Sequence, residues 1–175
     1  MRIKIKGKAY LLPNLFEDLT TEEFCKVVEV LGVKKKFTSQ NLFEIFCGIT
    51  ADEYKQLKAS DVAKVLSKLN WLDNLVEDCT NLIGAKKSSI NINERKLSYK
   101  RFKTSSLTIG NIATIENVIK EDSYLERIVM LLSELIKGND SMQDYLKGCP
   151  AVETIPLFNF FLNKLKRMQL ISLKK

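Results

Sequence analysis

The sequence predicts a mainly helical α+β fold that carries two small β-hairpins. Helices are indicated by apolar residues spaced three and four apart, several of them preceded by a threonine or serine that can cap a helix. Hairpins are indicated where polar and apolar residues alternate on both sides of a turn. With 175 residues, 45% of them hydrophobic and 28% charged, the chain has the length and composition of a globular protein.

The first predicted element is a hairpin over residues 2–12. Lysine and arginine alternate with Ile3 and Ile5, Gly7 provides a turn, and Pro13 ends the pairing. A period of two places the isoleucines on one face and the cations on the other. We therefore expect one face of this hairpin to lie in solvent.

The helix predicted over residues 16–31 is the one around which we expect the fold to be organised. Thr20 and Glu23 form a capping box, in which the side chain of each residue bonds to the backbone amide of the other. Gly32 is typical of the left-handed residue that ends a helix. The apolar residues that share one face are Phe24, Val27, Val28 and Leu31.

Two short helices are predicted next. The first is capped by Thr38 or Ser39 and ends at Gly48. The second begins with another capping box, formed by Thr50 and Glu53.

A longer helix is predicted from Ser60, its cap, through Trp71 to Val76. A single tryptophan among leucines is typical of core packing, so we expect this helix to contribute one apolar face to the core. Its apolar residues at helical spacing are Val62, Val65, Leu66, Leu69, Leu72 and Val76.

The second half of the chain predicts another hairpin and another helix. The hairpin covers residues 88–99 and turns at Asn93 and Glu94. The helix follows Leu107 and Thr108. Its apolar residues are Ile112, Ile115, Val118 and Ile119.

The most hydrophobic helix is predicted after Asp122 or Ser123, either of which can cap it, and it ends at Gly138. Because apolar residues occupy most of its surface, we expect it to be central. Its apolar residues are Leu125, Ile128, Val129, Leu132, Leu135 and Ile136.

A short helical turn over residues 142–146 and a long final helix complete the prediction. The final helix is predicted to begin at Thr154, with Pro156 in its first turn, where a missing amide hydrogen is tolerated. Its apolar stripe comprises Leu157, Phe158, Phe161, Leu162, Leu165 and Met168.

The two halves of the chain can be aligned with each other. Ile3 and Ile5 align with Ile90 and Ile92, and the pair Leu-Thr at 19–20 aligns with the same pair at 107–108. The alignment predicts two pseudo-duplicated ββαα lobes, residues 1–85 and 86–175, that form one compact unit around a shared helical core. The alternative is a chance match between two amphipathic segments.

The densest positive charge in this chain of net charge +7 surrounds the second hairpin. Cations neutralise phosphate, and the rings of Tyr99 and Phe102 can stack on bases, so this segment is the candidate nucleic-acid contact. The alternative is an edge hairpin whose lysines block pairing with other sheets. The cations are Lys86, Lys87, Arg95, Lys96, Lys100, Arg101 and Lys103.

No pattern in the sequence predicts catalysis, a metal or a cofactor. Histidine and Cys-x-x-Cys are both absent from the chain, and its glycines are scattered singly rather than gathered in a phosphate-binding loop. The acidic pairs at 22–23 and 121–122 lie at predicted helix starts, where the helix dipole favours them. We therefore expect a protein without enzymatic activity and without a small-molecule ligand.

The four cysteines, the N-terminus and the apolar segments predict where the protein is made. Cys25, Cys47, Cys79 and Cys149 are irregularly spaced, which favours reduced and mostly buried thiols. The alternating N-terminus is unlike a signal peptide, and the most apolar windows are too short to cross a bilayer. We expect the protein to be cytosolic where it is made, with reduced thiols.

Several short motifs resemble small structural and tail-assembly proteins of tailed bacteriophages, particularly those of crAss-like phages. The first is Ile-Lys-Ile-Lys-Gly-Lys-x-Tyr at 3–10, followed by Phe-Glu-Asp-Leu-Thr at 16–20 and Phe24. The second is Phe-Cys-Gly-Ile-Thr-Ala-Asp-Glu-Tyr at 46–54. The resemblance covers about the first 75 residues and residues 106–116, where Gly-Asn-Ile at 110–112 replaces the expected Gly-Glu-Phe.

This resemblance implies a structural protein of the virion, at the neck or tail, that acts as an adaptor or ring component in many copies. Its partners would be other phage structural proteins and copies of itself, without a membrane. The alternatives are a tail-assembly chaperone absent from the mature particle, and a DNA-binding or packaging-associated protein. The residues we expect to bind partners are the basic cluster listed above and exposed apolar residues of the final helix, such as Phe160.

Overall fold

The structure, a computed structural model, describes residues 1–34, 36–87, 89–92, 95–98, 115, 123–136 and 140–172. These residues are mostly helical and include two antiparallel hairpins, which confirms the predicted α+β class. The strands are β1 (Arg2–Ile5), β2 (Lys8–Leu11), β3 (Ser89–Ile92) and β4 (Arg95–Ser98). The helices are α1 (Thr21–Lys34), α2 (Ser39–Cys47), α3 (Ala51–Lys55), α4 (Ala59–Leu66), α5 (Leu75–Gly84), α6 (Tyr124–Ile136), α7 (Asp140–Gly148) and α8 (Ala151–Ser172), with 3₁₀ turns at Phe16–Asp18 and Asn70–Asn74.

The first hairpin forms as predicted. Arg2 pairs with Leu11 and Ile5 with Lys8, so the loop consists of Lys6 and Gly7 alone. Both loop residues have positive φ, 48° and 81°, the conformation that matches the right-handed twist of the strands. Ile3 and Ile5 are buried while the intervening cations are exposed, so one face does lie in solvent.

α1 begins with the predicted capping box but passes the predicted end. The Thr20 amide donates to Glu23 Oε2 at 2.9 Å, and the Glu23 amide donates to Thr20 Oγ1 at 3.2 Å. The prediction that Gly32 ends the helix was wrong. Glycine ends a helix by adopting a left-handed conformation, and Gly32 does not have positive φ, so α1 continues to Lys34.

α2 has the predicted start and end. Thr38 is the cap, and its hydroxyl oxygen accepts from the Asn41 amide at 3.3 Å. Ser39, the other candidate cap, instead shares a hydrogen bond of 2.7 Å with the Tyr54 hydroxyl. Gly48 ends the helix in the left-handed conformation, with φ of 61°.

The helix predicted from Ser60 to Val76 was wrong in its extent and its cap. α4 starts after Lys58 without a side-chain cap and ends at Leu66, a 3₁₀ turn follows, and α5 starts at Leu75. The reason is burial. Leu69 and Trp71 are both buried, yet two residues apart on a helix they would lie about 200° apart, on opposite faces.

The break in the helix allows Trp71 to contact two other aromatic rings. The Trp71 ring lies 6.4 Å from the ring of Phe16 and 6.4 Å from that of Phe46. These partners come from the 3₁₀ turn before α1 and from the end of α2. The 3₁₀ turn at Asn70–Asn74 therefore lets one side chain join two separate parts of the core.

α6 is central, as predicted. Four of its residues are completely buried, namely Ile128, Val129, Leu131 and Leu132. Consecutive pairs of buried residues cover more than one face of a helix, so α6 has neighbours on several sides. It packs against α1, α7 and α8.

Two predictions near the C-terminus were wrong in their bounds. The helical turn predicted over residues 142–146 does form, but as part of α7, a helix of nine residues. The final helix starts at Ala151 rather than Thr154, which puts Pro156 in the second turn. A tertiary contact, rather than a local cap, sets this start.

That contact is a short antiparallel bridge between residues 19–21 and 149–151. The Thr21 amide donates to the Cys149 carbonyl at 2.8 Å, and the Ala151 amide donates to the Leu19 carbonyl at 2.8 Å. The bridge places the first turns of α1 and α8 side by side. Its backbone groups are thereby paired within the protein.

The threonines at the bridge form a buried chain of hydrogen bonds. The Thr21 hydroxyl donates to the Cys149 carbonyl at 2.9 Å, and its oxygen lies 2.6 Å from Thr154 Oγ1. Since the Thr21 proton is used on Cys149, Thr154 is the donor in the second bond. Both threonine side chains are fully buried.

The core draws on both halves of the chain. Residues of the first hairpin, α1, α2 and α5 pack in one cluster with residues of α6, α7 and α8. Of the helix predicted over residues 107–119, only Ile115 lies within the described residues, and it is helical and buried. The predicted duplication depends on that segment. Because nearly all of it lies outside the described residues, the duplication stays a prediction.

The second hairpin also forms within its predicted limits. Ile90 pairs with Leu97 and Ile92 with Arg95, while the predicted turn at Asn93 and Glu94 lies outside the described residues. Strand β3 lies against α8. None of the helices in the described part of the chain has the length and apolar composition needed to cross a bilayer.

Replacing Thr21 by Val should lower the free energy of unfolding by about 1–3 kcal/mol, because the buried Thr154 hydroxyl loses its nearest partner and keeps only the Pro150 and Ala151 carbonyls, at 3.4 and 3.5 Å. Thr154→Val should cost less, since Thr21 still donates to Cys149. The double variant should cost less than the sum of the two single changes. Urea denaturation monitored by circular dichroism measures all three values.

The matched control for this prediction is Thr80→Val. The exposed Thr80 hydroxyl donates to the Val76 carbonyl at 2.8 Å, and exposed substitutions of this kind change stability by no more than about 0.5 kcal/mol. A loss at Thr21 no larger than the loss at Thr80 would show that the buried chain of hydrogen bonds contributes nothing to stability.

The capping box of α3 predicts a pH-dependent contribution from Glu53. Hydrogen bonds from the amide and the hydroxyl of Thr50 lower the pKa of the Glu53 carboxyl, and the charges of Lys8 and Lys6 lower it further. Because the folded pKa lies below the unfolded one, the stabilisation is present above the unfolded pKa and is lost as pH falls through the folded pKa.

Titration of the Glu53 side chain by NMR should therefore give a pKa below that of glutamate in an unfolded chain. Thr50→Val removes the hydroxyl donor and should raise this pKa. Lys6→Gln, the control, should raise it less, because the charge acts from a distance. A Glu53 pKa that does not respond to Thr50→Val would contradict the assigned cause.

Candidate interaction surfaces

The described residues contain no arrangement suited to binding a metal. No group of three or more cysteine, aspartate and glutamate side chains in this part of the chain lies close enough together to hold an ion. The acidic residues at the start of α1 act at a helix terminus, as the capping contacts of Glu23 show.

The four cysteines are unbridged and poorly placed for nucleophilic chemistry. Cys25, Cys79 and Cys149 are buried and Cys47 is half-buried. Burial raises the pKa of Cys25 to about 12, with Glu29 and Glu22 adding to the effect, and it raises the pKa of Cys79 to about 12, aided by Asp78. Burial also raises the pKa of Cys47 to about 11. The reactive thiolate is therefore scarce at neutral pH.

The basic cluster predicted around the second hairpin is only partly described. Lys86 and Lys87 are exposed in the segment after α5, and Arg95 and Lys96 lie on β4. Lys100, Arg101 and Lys103 lie outside the described residues. The structure thus places two of the seven cations before β3 and two on β4.

Lys87 is already engaged with α8. Its Nζ lies 2.9 Å from Glu153 Oε1 in an ion pair between partly exposed side chains, and its amide donates to the Pro156 carbonyl at 3.3 Å. Asn159 adds two further contacts, because its Nδ2 donates to the Ile83 carbonyl at 2.7 Å and to the Ala85 carbonyl at 3.3 Å. The segment 83–87 is therefore held against α8 by Asn159 and by Lys87. The sequence pattern did not reveal the role of Asn159.

Phe160 was predicted to be exposed on α8, but it is only partly exposed. It is half-buried, packs against the core, and has its ring 5.7 Å from the ring of Phe161 in an edge-to-face arrangement. Two adjacent phenylalanines lie about 100° apart on a helix, so a wide apolar face can accommodate both. Phe160 is therefore partly buried beside Phe161 because the apolar face of α8 is wide enough for both rings.

An apolar surface lies where the predicted long helix breaks. A groove of about 480 Å³ opens between α2, the end of α4 and the start of α5, and we call it the α2–α5 groove. Leu66 and Val76 line it with 37% and 61% of their surface exposed. Its lining comprises Lys36, Phe37, Thr38, Ser39, Leu42, Leu66, Leu72, Leu75 and Val76.

Sequence reasoning missed this groove because it assigned Leu66, Leu72 and Val76 to the core face of one helix. A signal was present in the polar residues between them, since Ser67 and Asn70 belong to the types that compete with helical hydrogen bonding. Once the helix ends at Leu66, its last apolar side chain faces a gap instead of the core.

A second apolar surface lies where the first hairpin leads into α1. We call it the hairpin-end patch. Leu11, Asn14 and Asp18 line a cavity of about 260 Å³ there, and Leu15 follows Asn14 in the chain. Leu11 and Leu15 are 75% and 56% exposed. The Asp18 carboxylate accepts from the amides of Asn14 and Leu15 at 2.9 and 3.2 Å, which fixes the loop that carries Leu15.

Comparison of the chain with protein-family models, curated proteins and solved structures gave no match. The two apolar surfaces and the partly described basic cluster are thus the features on which a functional argument can rest.

The cysteine environments predict slow reaction with a thiol reagent. At pH 8 the folded protein should react with iodoacetamide first at half-buried Cys47, while Cys25 and Cys79 react at least tenfold more slowly, because both burial and a raised pKa protect them. Mass spectrometry of peptides measures labelling at each site. Protein in urea, in which all four thiols should react at similar rates, is the control. Rapid labelling of Cys25 in the folded protein would contradict the prediction.

Proposed function

We propose that this chain is a non-enzymatic structural protein of a tailed bacteriophage particle, a neck or tail adaptor or ring component that works by protein–protein assembly. The α2–α5 groove is the observation that carries the proposal. The assignment to a phage particle rests on the resemblance to small phage structural proteins, which is carried by the motifs at 3–10, 16–24 and 46–54.

The physical argument concerns the cost of leaving apolar groups in water. Covering Leu66 or Val76 with a partner would contribute on the order of 1 kcal/mol each, because both are now substantially exposed. Contiguous exposed apolar surface bordered by polar residues is typical of places where another macromolecule binds. Lys36 and Thr38 border this groove and are exposed.

The alternative of a tail-assembly chaperone makes use of the same groove. An apolar segment of a tail protein would occupy it during assembly, and the chain would then leave the particle. The DNA-binding alternative relies on the basic cluster instead. The ion pair between Lys87 and Glu153 removes part of that cluster's free charge, which makes assembly the better-supported proposal.

Mass spectrometry of gradient-purified particles tests the proposal. We expect peptides of this chain in the particles at a fixed ratio to the major tail or neck proteins, with several copies per particle. The particle-free lysate is the control for expression. Peptides that are abundant in the lysate and missing from the particles would contradict a structural role and favour the chaperone.

A further inference from the structure

We draw no further inference here: the strongest candidate, the α2–α5 groove lined by exposed Leu66 and Val76, is an unpartnered apolar surface, and nothing in the described part of the chain shows what covers it.

Discussion

The fold depends on two backbone hydrogen bonds that join residues 19–21 to residues 149–151, with a separation of 128 positions between Thr21 and Cys149. They hold the first turns of α1 and α8 together, and the hydroxyls of buried Thr21 and Thr154 are hydrogen bonded to each other beside them. Because α8 also contacts α5 and α6, its position relative to α1 decides where most of the core lies. The start of α8 at Ala151 is a direct result of this bridge.

The same junction lies close to one of the two exposed apolar surfaces. Thr20 and Glu23, at the start of α1, line the cavity of the hairpin-end patch, and Lys36 and Phe37, after its end, line the α2–α5 groove. The groove lies where the chain leaves the helix after Leu66, ahead of the 3₁₀ turn in which Trp71 is buried near Leu69. The exposed apolar surface and this part of the core therefore meet at the same break in the chain.

The segment that leads to the second hairpin is governed by α8 as well. Asn159 bonds to two carbonyls of residues 83–85, and Glu153 pairs with Lys87. The ion pair uses Lys87, which in the sequence looks available for an acidic partner. It shows why a count of cations overestimates the charge that a surface can offer.

The sequence by itself determined the features that depend on neighbouring residues. The helix starts at Thr20, Thr38 and Thr50 and the turn of the first hairpin follow from hydrogen bonds and φ preferences within a few residues. Only the tertiary structure decided the break after Leu66, the start of α8 and the two apolar surfaces. Those features depend on which side chains can be buried together, and that is settled by residues distant in the chain.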